Sequence, residues 1–273
     1  GAFVHGACPN RMDPPSAYAS AGVYDSITVI RGISTLEHGS GPGGTVLFER
    51  DTPRFVAAEA PRGRARVGWR GNGAVREGGF DLSVGQPGGF VRGFGSAQVA
   101  GDYRDGEGRD VRSGWKERSG GVVIGVTPAD RTRLELGVEA SRLRDELFAG
   151  AGMDSPVSDA DTYRLAWRSA DIGPFSSLRA EANASRVVHV MDNYTLRQPA
   201  NPMMRMRAPA SSDTAGGRVV AEMQRADASW KFGLGLQDNR RQASRINDAS
   251  GMRQSILWPD VRISQAGVFV ERA

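Results

Sequence analysis

The stretch "RTRLELGVEASR", Arg131 to Arg142, decides the fold. Leu134, Leu136, Val138 and Ala140 fall on one face, and Arg131, Arg133, Glu135, Glu139 and Ser141 on the other. That period of two belongs to a β-strand with one apolar and one charged side. "DASWKFGLGLQD", Asp227 to Asp238, repeats it: Trp230, Phe232, Leu234 and Leu236 oppose Ser229, Lys231 and Gln237. Weaker alternation covers Phe80–Gly85, Val122–Val126, Tyr163–Ser169, Leu178–Met191, Val219–Arg225 and Val261–Glu271. About ten strands are expected from Arg64 onward, many of them longer than the usual five or six residues.

Long strands with one apolar and one charged face suit a transmembrane barrel, with lipid outside and water inside. A soluble barrel or sandwich whose apolar face is a core fits the alternation equally well. The chain of 273 residues is 39% apolar, and no segment approaches the continuous apolar run of a spanning helix. Its 35 basic residues, almost all Arg, are interspersed with 31 acidic ones. Nucleic-acid binding asks instead for a clustered basic stripe with stacking aromatics, so no nucleic-acid partner is expected. The histidines His5, His38 and His189 sit in no catalytic motif, which argues against an enzyme. No signal peptide is visible at "GAFVHGACPN", and "ISQAGVFVERA" at the other end reads as a strand; a fragment of a longer protein is expected.

Upstream of the alternating region, Tyr24 to Phe55 reads as a strand "SITVIRG", a short helical or turn piece, a glycine loop "HGSGPGGT" and a strand "GTVLFER". Gly39, Gly41, Gly43 and Gly44 let the backbone turn through positive φ. The loop lacks the Lys-Ser/Thr ending of a P-loop and is followed by a strand, so a nucleotide reading is weak.

This order resembles the end of the plug domain of TonB-dependent outer-membrane receptors, immediately before the barrel. It departs at Ile33, where Pro is common, and at Glu37-His38, where Leu-Tyr is frequent. The resemblance implies a mainly β fold: residues 1–58 as the C-terminal part of an α/β plug, and 59–273 as the N-terminal part of a transmembrane β-barrel of 22 strands, about ten of them in this chain. It further implies the outer membrane of a Gram-negative bacterium, a lipid surround, and energy from the TonB complex through a segment N-terminal to this chain.

Within the family, "GACPNRMDPPSAY", "GTVLFERDTPRF" and "HVMDNYTLR" resemble the copper receptor subgroup. Its CxxxM and HxM pairs then fall on Cys8 and Met12, and on His189 and Met191, with copper as the transported ligand. The chemistry agrees: thiolate, thioether and imidazole are a soft set that favours Cu(I), and two thioethers make structural zinc less natural. The alternation in "RAEANASRVVHVMDN" puts Arg179, Glu181, Asn183, Ser185, His189 and Met191 on one polar face. Cys8 is the sole cysteine, within a loop bounded by Pro9, Pro14 and Pro15. Singly, each of these residues reads as core filling or exposed surface; together they read as a metal site. Met203, Met204 and Met206 in "NPMMRMRAP" are expected as secondary metal contacts, or as incidental residues of a flexible loop. The runner-up is a receptor for a siderophore or other metal chelate. From another class comes a soluble β protein binding polysaccharide or nucleic acid.

Overall fold

The computed structural model describes residues 3–32, 36–37, 44–225 and 227–272. Most of the glycine loop, with Ile33 and His38, lies outside the described residues. The first part of the chain is an irregular segment with two 3₁₀ turns, Pro15–Tyr18 and Ala21–Val23, and an antiparallel pair, β1 (Ser26–Ile30) and β2 (Thr45–Glu49). These two strands are the two expected there. No helix among the described residues is long and apolar enough to cross a membrane, which says nothing about strands.

The rest is one antiparallel sheet of ten strands. They are β3 (Arg62–Arg70), β4 (Val75–Gln86), β5 (Gly89–Ala100), β8 (Trp115–Ala129), β9 (Thr132–Glu146), β10 (Asp154–Ile172), β11 (Phe175–Asp192), β12 (Met206–Arg225), β13 (Ala228–Asn247) and β14 (Met252–Arg272). Neighbours in sequence are neighbours in the sheet, and a small hairpin, β6 (Tyr103–Arg104) with β7 (Asp110–Val111), projects from the connection between β5 and β8. Consecutive antiparallel pairing over strands of this length is the layout of an up-and-down barrel wall. The alternation marks eight of the ten strands. It misses β3, and it misses β5, where "GFVRGFGSAQVA" places Gly93 and Ala97 at outward positions and so erases the apolar signal.

The two ends of the sheet differ. At one end the connections include residues 87–88, 130–131 and 173–174, each of two residues; at the other they include 101–114, 147–153 and 193–205. The two faces differ as well. Leu134, Leu136 and Val138 are 38%, 50% and 44% exposed, and Phe80, Leu82, Ile124, Leu165, Val219, Leu234 and Leu236 stand out from the same side. An apolar belt of this breadth left open is far larger than the patches soluble monomers tolerate, and it is what a lipid-facing wall requires.

The N-terminal segment packs on the opposite, inner face. One apolar cluster joins Ala7 and Tyr18 to Leu143, Ala160, Val187, Ala210 and Ala243; a second joins Val23 and Phe55 to Phe90, Phe94 and Val123. Between them run polar ties. Arg92, buried in the sheet, bonds Asp25 at 2.9 Å and Asp81 at 2.5 Å. Glu37 meets Arg179 at 2.8 Å and Lys231 at 3.1 Å. Thr52 donates to Glu135 at 2.7 Å. The charged sides of β9 and β13 thus face the segment, as the alternation requires.

Candidate metal centre

Residues 6–13 fold into a tight loop under the long-connection end of the sheet. The Arg11 N–H donates to the Cys8 carbonyl at 3.0 Å, and Arg11 itself takes a positive φ of 55° to reverse the chain. Pro9 supplies the fixed φ that such a turn needs after its first residue. The loop sets Cys8 against the inner face, where it is 3% exposed.

Opposite it stands β11. Its inward residues Asn183, Ser185, Val187, His189 and Met191 are all buried, and the Ser185 hydroxyl donates to the Phe3 carbonyl at 2.9 Å. Met191 is 3% exposed, and its Sδ lies 3.8 Å from Cys8 Sγ. Two sulfurs each about 2.3 Å from a tetrahedral ion stand about 3.8 Å apart, so this pair already has the spacing of two ligands on one metal.

His189 shares the face two residues before Met191 and is 1% exposed. Neither of its ring nitrogens has a hydrogen-bond partner among the described residues. Buried polar atoms are almost always paired, and two orphans on one imidazole ask for a ligand. Met12, half-buried, follows Cys8 within the same loop. The structure joins Cys8 to Met191 directly; His189 lies two residues before Met191 on β11, and Met12 lies four residues after Cys8 in the loop.

Burial holds the Cys8 thiol above its ordinary range; the backbone N–H groups of Met12, Asn10 and Arg11 oppose this, and the nearby Asp13 charge adds to it. A soft cation would replace the proton and release the sulfur as thiolate.

Asp13 is the part of the site that sequence reasoning omits. Its carboxylate accepts from Ala7 N–H at 2.6 Å, Cys8 N–H at 2.9 Å and the Tyr18 hydroxyl at 2.7 Å. The signal was faint: a lone carboxylate five residues after the cysteine, ahead of Pro14 and Pro15, with Gly6 as its close neighbour. A Cβ at Gly6 would come within 2.2 Å of the Asp13 carbonyl oxygen.

The three methionines expected as secondary metal contacts lie apart from this loop. Met203 and Met204 are 67% and 53% exposed on the connection between β11 and β12, and Met206 opens β12. Asn193 and Asn247 donate to the carbonyls of Met204 and Met203, pinning that loop by its backbone.

Among solved structures, the chain is similar to "Copper transporter OprC", with a TM-score of 0.89 and 30% identity over 98% of this chain and 42% of that one. Its fold is that of the TonB-dependent receptors. The siderophore receptor PirA from Acinetobacter baumannii matches this receptor fold with a TM-score of 0.66 and 14% identity, over 95% of this chain and 43% of that one. The ferric-catecholate import receptor Fiu from E. coli K12 matches with a TM-score of 0.57 and 11% identity, over 90% and 46%. At those identities the likeness is of fold alone. The chain spans less than half the length of each of these three proteins. No protein-family model matches the sequence, and no curated protein does.

Proposed function

We propose that this chain is part of an outer-membrane receptor of a Gram-negative bacterium that binds and imports copper, as Cu(I), through Cys8, Met12, His189 and Met191. Residues 1–58 act as the end of its plug and 59–273 as the first part of its barrel wall, set in lipid. The observation that carries the reading is the 3.8 Å approach of Cys8 Sγ to Met191 Sδ beside an imidazole with both nitrogens unpaired. Thiol, thioether and imidazole select a soft monovalent ion over Mg, Ca or Mn. The 30% identity to the copper transporter OprC supports the same ion. Energy for release comes, on this reading, from the TonB complex acting on the plug.

In the full-length receptor, Cys8→Ala or His189→Ala should sharply reduce copper retained after washing, with the barrel still heat-modifiable and zinc a poor substitute. Near-stoichiometric copper in the Cys8, Met12, His189 and Met191 quadruple variant would overturn the site. A receptor for a siderophore or other chelate would then be the better reading, and PirA and Fiu share the fold of this wall.

A further inference from the structure

The loop that carries Cys8 is tied by a single side chain. Asp13 is 6% exposed, and its carboxylate takes the Ala7 N–H on Oδ2, the Cys8 N–H on Oδ1 and the Tyr18 hydroxyl on Oδ2. All three partners donate. Only a carboxylate accepts on both oxygens; an amide of the same shape would turn N–H₂ toward one of them. Gly6 presses against Asp13 so closely that no side chain fits between, and Tyr18 sits in the apolar cluster with Val187 of β11. The carboxylate thus couples the cysteine backbone to the strand that bears His189 and Met191.

We propose that Asp13 is the positioning residue of this centre: it pins the Ala7 and Cys8 amides and so sets the Cys8 sulfur against Met191 before the ion arrives. The inference rests on the copper reading above. Asp13 does not touch the ion; it removes the ordering cost of a loop whose sulfur must otherwise find its place on binding. Partners of this outer kind are worth about 10- to 100-fold in metal affinity.

The test is Cu(I) competition against a chromophoric chelator in the full-length receptor, with the ultraviolet thiolate-to-copper band recorded at saturation. Asp13→Ala should weaken copper by about 10- to 100-fold while the band is retained once the site is filled. Asp13→Asn should fall between it and the parent, and Tyr18→Phe should lose less. In the metal-free receptor, Asp13→Ala should also speed alkylation of Cys8 by a maleimide. Should Asp13→Ala lose heat-modifiability, Asp13→Asn decides. Parental affinity and alkylation rate in Asp13→Asn and in any folded Asp13→Ala would overturn the positioning role. If those variants are parental while Cys8→Ala loses copper, only that role fails; if Cys8→Ala itself keeps parental copper, the copper reading fails with it.

Discussion

Arg50 grips Glu139 through two parallel hydrogen bonds of 2.9 Å each, and the same guanidinium donates to the Val23 carbonyl at 2.8 Å. Its flat face covers the rings of Phe94 and Tyr24 at 3.7 and 4.0 Å. Glu139 belongs to β9, whose preceding residue, Val138, points to the opposite side. One strand therefore reports both surfaces of the wall.

Arg placed at Leu136 should cost about 2 to 4 kcal/mol if that site lies near the bilayer midplane, because the charge enters lipid. The neighbouring change Glu135→Gln should cost much less, since that side chain faces the segment and polar company. Denaturant unfolding of the receptor in bilayers checks both. Equal tolerance of the two would mean that the strand presents the other face to lipid.

Removing one partner of the Arg50–Glu139 pair strands the other. Their side chains are 12% and 19% exposed, so Glu139→Ala should destabilise by about 3 kcal/mol, near the range for broken buried pairs. The double variant Arg50→Ala/Glu139→Ala should recover part of that loss. Hydrogen exchange over residues 24–50 would show the loosening directly.

Two tyrosines in the segment titrate late. Burial, with Glu139 beside it, raises the Tyr24 phenol well above its ordinary value, and burial with Asp13 does the same for Tyr18. A group whose folded pKa is raised contributes stability that is complete below its unfolded pKa, about 10 for tyrosine, and is lost as pH rises beyond it. The segment should hold through neutral pH and loosen in the alkaline range above about pH 10. Tyr18→Phe and Tyr24→Phe should each reduce that alkaline sensitivity, read as protease access against pH.

Met203, Met204 and Met206 lie on or beside an exposed connection whose backbone is fixed by Asn193 and Asn247. On the proposed copper reading, changing all three to Leu should leave the stoichiometry of tightly held copper unchanged and slow uptake at limiting copper. An unchanged uptake rate would mark them as incidental.

Much of the wall was legible because its two faces have different surroundings, one apolar and exposed and the other packed by the N-terminal segment, which forces strict alternation on strands such as Arg131 to Arg142. β3 and β5 escaped because their outward positions include glycine and alanine, which carry little hydropathy. His189 and Met191 were legible as a pair, since i and i+2 on a strand share a side, and β11 does turn both inward. The approach of Cys8 to Met191 spans 183 residues, so no local pattern encodes that contact. Asp13 was illegible for another reason: a carboxylate that binds its own backbone looks, in sequence, like any solvated acid.

That 183-residue separation has a mechanical meaning. An ion held at once by Cys8 and Met191 would be a removable cross-link closing a very long loop, and the entropy of loop closure grows only slowly with length, so a single ion can hold so distant a join. Unlike a disulfide, such a bridge opens without electron transfer. Coordination tolerates displacements of only a fraction of an ångström, so sliding the segment along the wall and discharging the ion become one event. On the proposed reading the cargo is also the fastener, and an empty receptor is a looser one.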